Sequence, residues 1–423
     1  MAATADTLPD ETPEAIATRP PSGLDFDRYL LLVVAALLAI GLLMVYSTTF
    51  DWSYLEFGSP VRIFLRQVRS AIIGLAAMLV MWRWDYRILR NRYVATAIML
   101  VTIAALGGLL LLNNSRGGGE FGAQRSLYQG SFQPGEVAKL AVIIYFAAWL
   151  ASRREQLHKI GYGLIPFSIL VGTVGGLIVL QPDLSTAAII VMTAGTMFFV
   201  AGANWVQIGL IGAGAVGLSW LLATQFDYAR ERLIAHLQAM QDLTQASWHV
   251  QQAVIAFRAS GSRADTFSPN WFGVGLGQSS QKFGFLPAAH TDSIFAIIGE
   301  ELGLFGCLLV VILFGLFVWR AFKIAANSPE PFGQMLATGI GAWIGYEAMF
   351  NVAVMTTILP FSGVVLPFIS YGGSSLVVVL TGVGLLMSIS RQRPRTIEYR
   401  ASRVDADASP PRRWRIERVG RGR

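Results

Sequence analysis

The sequence predicts an all-α polytopic membrane protein with about ten transmembrane helices and a long outer loop between the seventh and eighth. Three observations carry that expectation. Of the 423 residues, 54% are hydrophobic and 14% charged, and the mean hydropathy is +0.52, well outside the balance of a water-soluble domain. Apolar runs of roughly 15–25 residues recur along most of the chain, each near the length that crosses a ~30 Å hydrocarbon core. These runs lack the alternation of barrel strands, so helices, which satisfy their backbone polar groups internally, are the form that lipid permits.

The organisation follows from the amino terminus onward. Residues 1–27 form a polar, acidic tail. No small-residue cleavage pattern follows the first apolar run, which is therefore expected to stay as an anchor. The spans read as Tyr29–Ser47, Val68–Trp82, Val94–Leu112, Glu136–Ala151, Leu164–Leu180, Leu184–Gly202, Trp205–Ala223, Asp292–Val318, Gln334–Thr356 and Ser375–Ser390. The membrane domain is thus 28–390, with an outer loop at 224–290 and an Arg-rich tail at 391–423. An even number of spans places residues 1–28, 83–93, 152–163, 319–333 and 391–423 on one side, and these hold 22 of the 33 Lys and Arg. That side is expected to be the cytoplasm, with both termini in it. The last segment, with eleven arginines against four acids, reads as a disordered tail on anionic lipid rather than a nucleic-acid-binding one. Arg62, Arg66 and Arg69 run against the charge rule and suggest an interfacial helix on the outer side. The single cysteine, Cys307, excludes an intramolecular disulfide and reads as core filler.

Outside the spans, the stretch from Phe226 has apolar residues at helical spacing and predicts an interfacial amphipathic helix. The segment from Arg258 to Asn270 is polar and turn-rich. NWFGVGLG, from Asn270, lacks the Lys-Ser/Thr of a nucleotide loop and reads as flexible backbone. The segment LPFSGVVLPFISYGGSS, from Leu359, places proline, glycine and serine between two spans. Irregular backbone at membrane depth survives only when buried in protein or lining a wet cavity, so this segment reads as a re-entrant loop.

Charged residues near the outer helix ends are the candidates for chemistry, because ionisable groups in or beside lipid are costly to keep. Asp292, next to His290 in LPAAHTD, stands where the eighth span begins. Function and helix capping compete for it on equal terms. Glu136 and Lys139 are three residues apart at the outer end of the fourth span and can pair, either as a structural salt bridge or as part of a polar cleft for an anionic head group. Arg125 offers a planar fork to phosphate from the 113–133 loop, and Lys282, ten residues before Asp292, offers a point charge; a solvated loop role is the alternative for each. Asp183 has a capping reading, and Glu300 and Glu301 call for polar partners inside the protein. The sequence has no His/Cys cluster, HExxH or GxSxG, which removes zinc hydrolases and the commonest serine hydrolases.

Four motifs, QPGEVAK from Gln133, QPDLST from Gln181, GVGLGQSSQKFGFLPAAHTDSIFAIIGEELG from Gly273 and LPFISYGGSS from Leu366, together resemble the SEDS family (shape, elongation, division and sporulation), which includes FtsW, RodA and SpoVE. The order of the motifs is the family's, and QSSQKFGFLPAAHTD is closer to the division-type, FtsW-like members. The resemblance implies a peptidoglycan glycosyltransferase that polymerises lipid II at the outer face of the bacterial cytoplasmic membrane. It also implies a class B penicillin-binding protein as partner, among other divisome or elongasome membrane proteins. In the family the aspartate of HTD is essential, here Asp292; the Glu and Lys of QPxExxK fall on Glu136 and Lys139, and the loop arginine on Arg125. Ser293 stands where the family usually has an aromatic, and Ser126 where it usually has tryptophan.

With Asp292 as base, Arg125, Lys139 and Lys282 are expected to meet pyrophosphate, with Glu136 orienting Lys139 and His290 beside the substrate. A divalent cation, Mg or Mn, bridging pyrophosphate is a further expectation, without a visible ligand set. A lipid II flippase and a non-catalytic scaffold for a penicillin-binding protein are the rival functions. The small residues of GAWIGYEA, from Gly341, suggest a lipid-facing surface at the eighth or ninth span on which a partner's helix packs, through Gly341 and Gly345.

Overall fold

The computed structural model describes residues 27–115, 133–225, 227–242, 248–259 and 271–391. These form twelve α-helices: α1 (Arg28–Phe57), α2 (Arg62–Arg83), α3 (Arg92–Ser115), α4 (Pro134–Ser152), α5 (Leu164–Val179), α6 (Leu184–Val200), α7 (Trp205–Gln225), α8 (Asp227–Gln241), α9 (Trp248–Ala259), α10 (Ile294–Ala326), α11 (Pro331–Met355) and α12 (Gly373–Ser390). All but α8 and α9 coincide with the ten apolar runs. Among the described residues, seven helices are long and apolar enough to cross a membrane on length and composition alone, while α5 and α6, at 16 and 17 residues, are shorter. The amphipathic segment forms α8, with Leu233, Ile234, Leu237 and Met240 exposed.

Two expectations are corrected here. α2 runs unbroken from Arg62, so Arg62, Arg66 and Arg69 occupy its first turns rather than a separate interfacial helix. The Arg62 and Arg66 guanidinium groups lie 4.8 and 5.2 Å from the Phe57 ring at the end of α1, a cation–π arrangement that gives both charges an aromatic partner. Second, the glycines of GAWIGYEA do not face lipid. A Cβ on Gly341 would stand 2.7 Å from the Cβ of Ala321, and one on Gly345 2.8 Å from a Val318 methyl, so these glycines let α11 close on α10. Gly341→Leu is therefore expected to lower thermal stability by about 1–3 kcal/mol or more through overpacking. Thermal unfolding of the purified variant checks this, and an unchanged melting temperature would return the glycines to the surface.

α11 is the central post of the bundle, packed against α4, α6, α10 and α12. Trp343 on α11 is fully buried, and Gly339 lets Ile143 of α4 and Met197 of α6 approach the α11 backbone. At one end of the bundle Asp27 pairs with Arg320, and Arg87 Nε lies 2.8 Å from Glu330 Oε1. At the other end the segment 359–372 folds inward between helices. Backbone groups that lipid would leave unpaired are taken up by side chains from several helices. Ser185 Oγ of α6 donates to Ser362 O (2.9 Å), and Gln67 of α2 donates to Ser370 O (3.2 Å) while accepting from Gly372 N (3.3 Å).

α10 breaks its helical path at Gly303 (φ 67°, ψ −162°), a conformation that only glycine adopts without strain. The break leaves carbonyls and an amide without partners inside the helix. The glycine-rich segment after Asn270 supplies them: Val274 N donates to Glu300 O (2.9 Å), Gly275 N to Glu301 O (3.0 Å), and Phe305 N to Trp271 O (3.0 Å). A Cβ on Gly273 would stand 2.5 Å from the Glu301 carbonyl. This segment, expected as flexible backbone, is thus docked on the break it repairs.

Candidate active site

Asp292 lies just ahead of α10, in a turn built by Pro287 and Ala288. Ala288 adopts φ 52°, and its carbonyl accepts from Thr291 N (3.0 Å) and Ser293 N (3.4 Å). The N-cap position of α10 is Ser293, which makes no side-chain capping bond, so Asp292 is not that helix's cap residue. Its carboxylate accepts from Thr291 Oγ1 (3.1 Å), and its carbonyl accepts from Asn351 Nδ2 of α11 (2.8 Å). The same amide donates to Val364 O (2.7 Å), so one buried asparagine ties the start of α10 to the inward-folded segment. Ser370 Oγ on Thr291 O (2.5 Å) and Tyr371 N on His290 O (2.8 Å) complete the seam. Gly363 (φ 66°) lies over the carboxylate, where a Cβ would come within 3.6 Å of Asp292 Oδ2.

Half-buried in this seam, Asp292 is pushed above the usual carboxylate range by desolvation, with the nearby His249 opposing the shift. His290 does not act as a cation. Burial lowers it to about 4, so it is neutral near pH 7, and its ring stacks on Trp52 at 4.8 Å and 26°. It is an aromatic plate between the end of α1 and the Asp292 turn.

One helical turn along α11 from Asn351, Glu347 meets Glu136 and Lys139 of α4. Lys139 Nζ donates to Glu136 Oε1 at 2.9 Å and to Glu347 Oε1. The three residues are 4%, 3% and 0% exposed for Glu136, Lys139 and Glu347, so the ammonium is enclosed rather than presented to an open cleft. The expected pair is a triad of two acids and one base, with α11 supplying the member that local spacing on α4 cannot reveal. Glu347 and Asn351, four residues apart on one apolar span, were the available signal.

Lys282 is also engaged: its Nζ donates to Gly277 O (2.7 Å), lies 3.2 Å from Glu301 Oε1 and contacts Ser47 Oγ of α1 (3.3 Å). Glu300 accepts from Ser279 Oγ (2.5 Å) and from Ser280 N (2.9 Å) and Oγ (3.0 Å). These acids have the interior polar partners that their position demanded. Asp183 caps α6, accepting from Thr186 N (3.2 Å) and Oγ1 (2.9 Å). Arg125 and Ser126 lie outside the described residues. The seam brings Asp292 and His290 together, with the Glu136–Lys139–Glu347 triad a turn deeper along α11 and Lys282 on the loop docked to α10.

Comparison with known proteins fits this architecture. The FtsW/RodA/SpoVE family model, described as a cell cycle protein, matches residues 27–395. This chain belongs to that family. It is 34% identical over 379 residues, 89% of this chain and 96% of the relative, to the probable peptidoglycan glycosyltransferase FtsW of Trichlorobacter lovleyi. It is 35% identical over 374 residues to the stage V sporulation protein E of Bacillus subtilis, covering 86% of this chain and 97% of the relative. A chain from a structure described as the structural coordination of polymerization and crosslinking by a peptidoglycan synthase complex superposes with a TM-score of 0.69 at 25% identity, over 88% of this chain and 99% of that one. The rod shape determining protein RodA of Thermus thermophilus shares the fold, with a TM-score of 0.60 at 24% identity over 88% and 98%. The chain is a multi-pass membrane enzyme of the peptidoglycan glycosyltransferase class.

Proposed function

We propose that this glycosyltransferase polymerises lipid II at the outer face of the bacterial cytoplasmic membrane, with both tails in the cytoplasm, and that Asp292 is its general base. The acceptor sugar's 4-hydroxyl gives its proton to Asp292 as its oxygen bonds to the donor's anomeric carbon. The bond from that carbon to the lipid pyrophosphate breaks, and the pyrophosphate leaves with the electron pair. The observation that carries this reading is the half-buried carboxylate of Asp292, held at the mouth of the seam by its own backbone contacts and raised in pKa by desolvation toward the range where a carboxylate is an effective base.

The cations divide by accessibility. Lys139 and Lys282 are bound to carboxylates within the protein, so their part is to fix α4, α11 and the 273–282 loop around the site. Arg125, by resemblance, is the residue that meets pyrophosphate. Among the described residues no three His, Cys, Asp or Glu side chains gather as a metal site. A divalent cation, Mg or Mn, is proposed to accompany the substrate and would supply charge neutralisation, and chelation is expected to slow the reaction without unfolding the protein. The proposed partner is a class B penicillin-binding protein, supported by the similarity to a chain of a peptidoglycan synthase complex.

Purified protein in liposomes with fluorescent lipid II tests the function. Glycan polymer is expected. Transfer of the label across the bilayer without polymer would favour a flippase instead, and the absence of both polymer and transfer would leave the scaffold.

A further inference from the structure

We propose that His249, on α9, is a positioning residue for Asp292: it anchors the turn that carries the carboxylate and sets a second titratable group beside that turn. The proposal rests on Asp292 being the base.

The geometry begins at Ser293, whose small side chain faces an imidazole: His249 Nε2 lies 3.2 Å from Ser293 Oγ. That hydroxyl donates onward to Pro287 O (3.2 Å), so His249 is joined to both ends of the Asp292 turn. The imidazole packs on Phe361 of the inward-folded segment, with ring centroids 4.2 Å apart, and the preceding Trp248 Nε1 donates to Phe285 O (2.8 Å), which pins the start of α9 to the same loop. α9 thereby contributes an aromatic, hydrogen-bonding side chain to the Asp292 turn.

The electrostatics agree in sign. Burial lowers His249, and the charge of Asp292 opposes this; for Asp292, burial raises the pKa and His249 opposes it. Each group favours the charged form of the other, so the two titrate as a pair. Among the described residues, the acids of the two helices packed against α9 are otherwise engaged. In α10, Glu300 is held by Ser279 and Ser280, and Glu301 by Lys282 and Ser47. Glu347 of α11 is bound to Lys139, and the neutral His290 of the same turn stacks on Trp52. A proton on the imidazole therefore favours the ionised carboxylate, the form that can act as a base.

Two measurements on the full-length protein in nanodiscs test this. With ¹⁵N-histidine labelling, the four histidines are few enough to assign His249 by elimination, through the losses in His158→Gln, His236→Gln and His290→Gln. The His249 titration should fall by about one pH unit in Asp292→Asn, where the carboxylate charge is gone. The acid limb of lipid II polymerisation should move up by about one pH unit in His249→Gln, which keeps a hydrogen-bond donor but cannot titrate. If His249→Gln does not fold, Ser293→Ala keeps the imidazole and removes its anchor, and the His249 titration should move toward that of a free histidine. An unmoved His249 signal in Asp292→Asn, or an unmoved acid limb in His249→Gln, overturns the proposal. An Asp292→Asn chain that still polymerises sinks the base assignment instead, and is told apart because the ¹⁵N shift does not depend on turnover.

Discussion

Asp292→Ala is expected to slow glycan polymerisation by about 10²–10⁴-fold per folded molecule, the usual contribution of a positioned general base. Folding should survive, because the tie between this turn and α11 runs through the Asp292 carbonyl, which accepts from Asn351, and not through the carboxylate. The pH dependence has a defined sign. A base works only when deprotonated, and burial raises the pKa of Asp292, so activity is present above that raised value and is lost as pH falls through it. The acid limb should therefore lie above the ordinary carboxylate range of about 4. Initial rates of lipid II polymerisation across pH, normalised to folded protein, check both statements. A variant within tenfold of wild type would remove Asp292 from the chemistry.

Lys139→Met is expected to be the most destabilising of the charge substitutions, at about 3–5 kcal/mol, because it leaves two carboxylates facing each other without their shared ammonium. Lys139 is 3% exposed and Glu347 fully buried, so water cannot replace the lost partner cheaply. The compensated chain, Lys139→Met with Glu136→Gln and Glu347→Gln, should recover most of that loss, since replacing a whole buried ionic group is often neutral. Thermal unfolding of the three forms measures the comparison. If the triple variant is as unstable as Lys139→Met alone, burial of uncompensated charge is not the cause. If it is stable yet inactive, the triad shapes the site beyond holding α4 to α11.

The helices were legible because lipid demands long apolar runs and a helical backbone, and ten runs became ten helices. Asp292 was legible because a carboxylate at a helix entrance is costly, and Asp183 because an acid before an apolar run caps it. What the sequence concealed lies in long-range partners. Lys139 reads as the mate of Glu136 by spacing, yet its second carboxylate comes from Glu347, 208 positions away. Gly341 and Gly345 read as a lipid-facing surface because small residues favour helix contact without naming the partner helix, which is α10 of the same chain. The glycines after Asn270 read as mobile because their composition does not reveal the broken helix at Gly303 on which they dock. α9 and His249 were missed because a helix of 12 residues ahead of a polar stretch has little periodic signal, and only the fold places it against Ser293.

The central claim, that Asp292 serves the chemical step, is tested most directly by separating binding from turnover in Asp292→Asn, which keeps the side chain's shape and removes its basicity. Binding of labelled lipid II to the purified variant in liposomes and polymer formed from the bound substrate are measured on the same sample. The account predicts lipid II affinity within a few-fold of wild type and no detectable glycan. Weakened affinity, with normal polymerisation once the substrate is saturating, would contradict it and make Asp292 a binding residue.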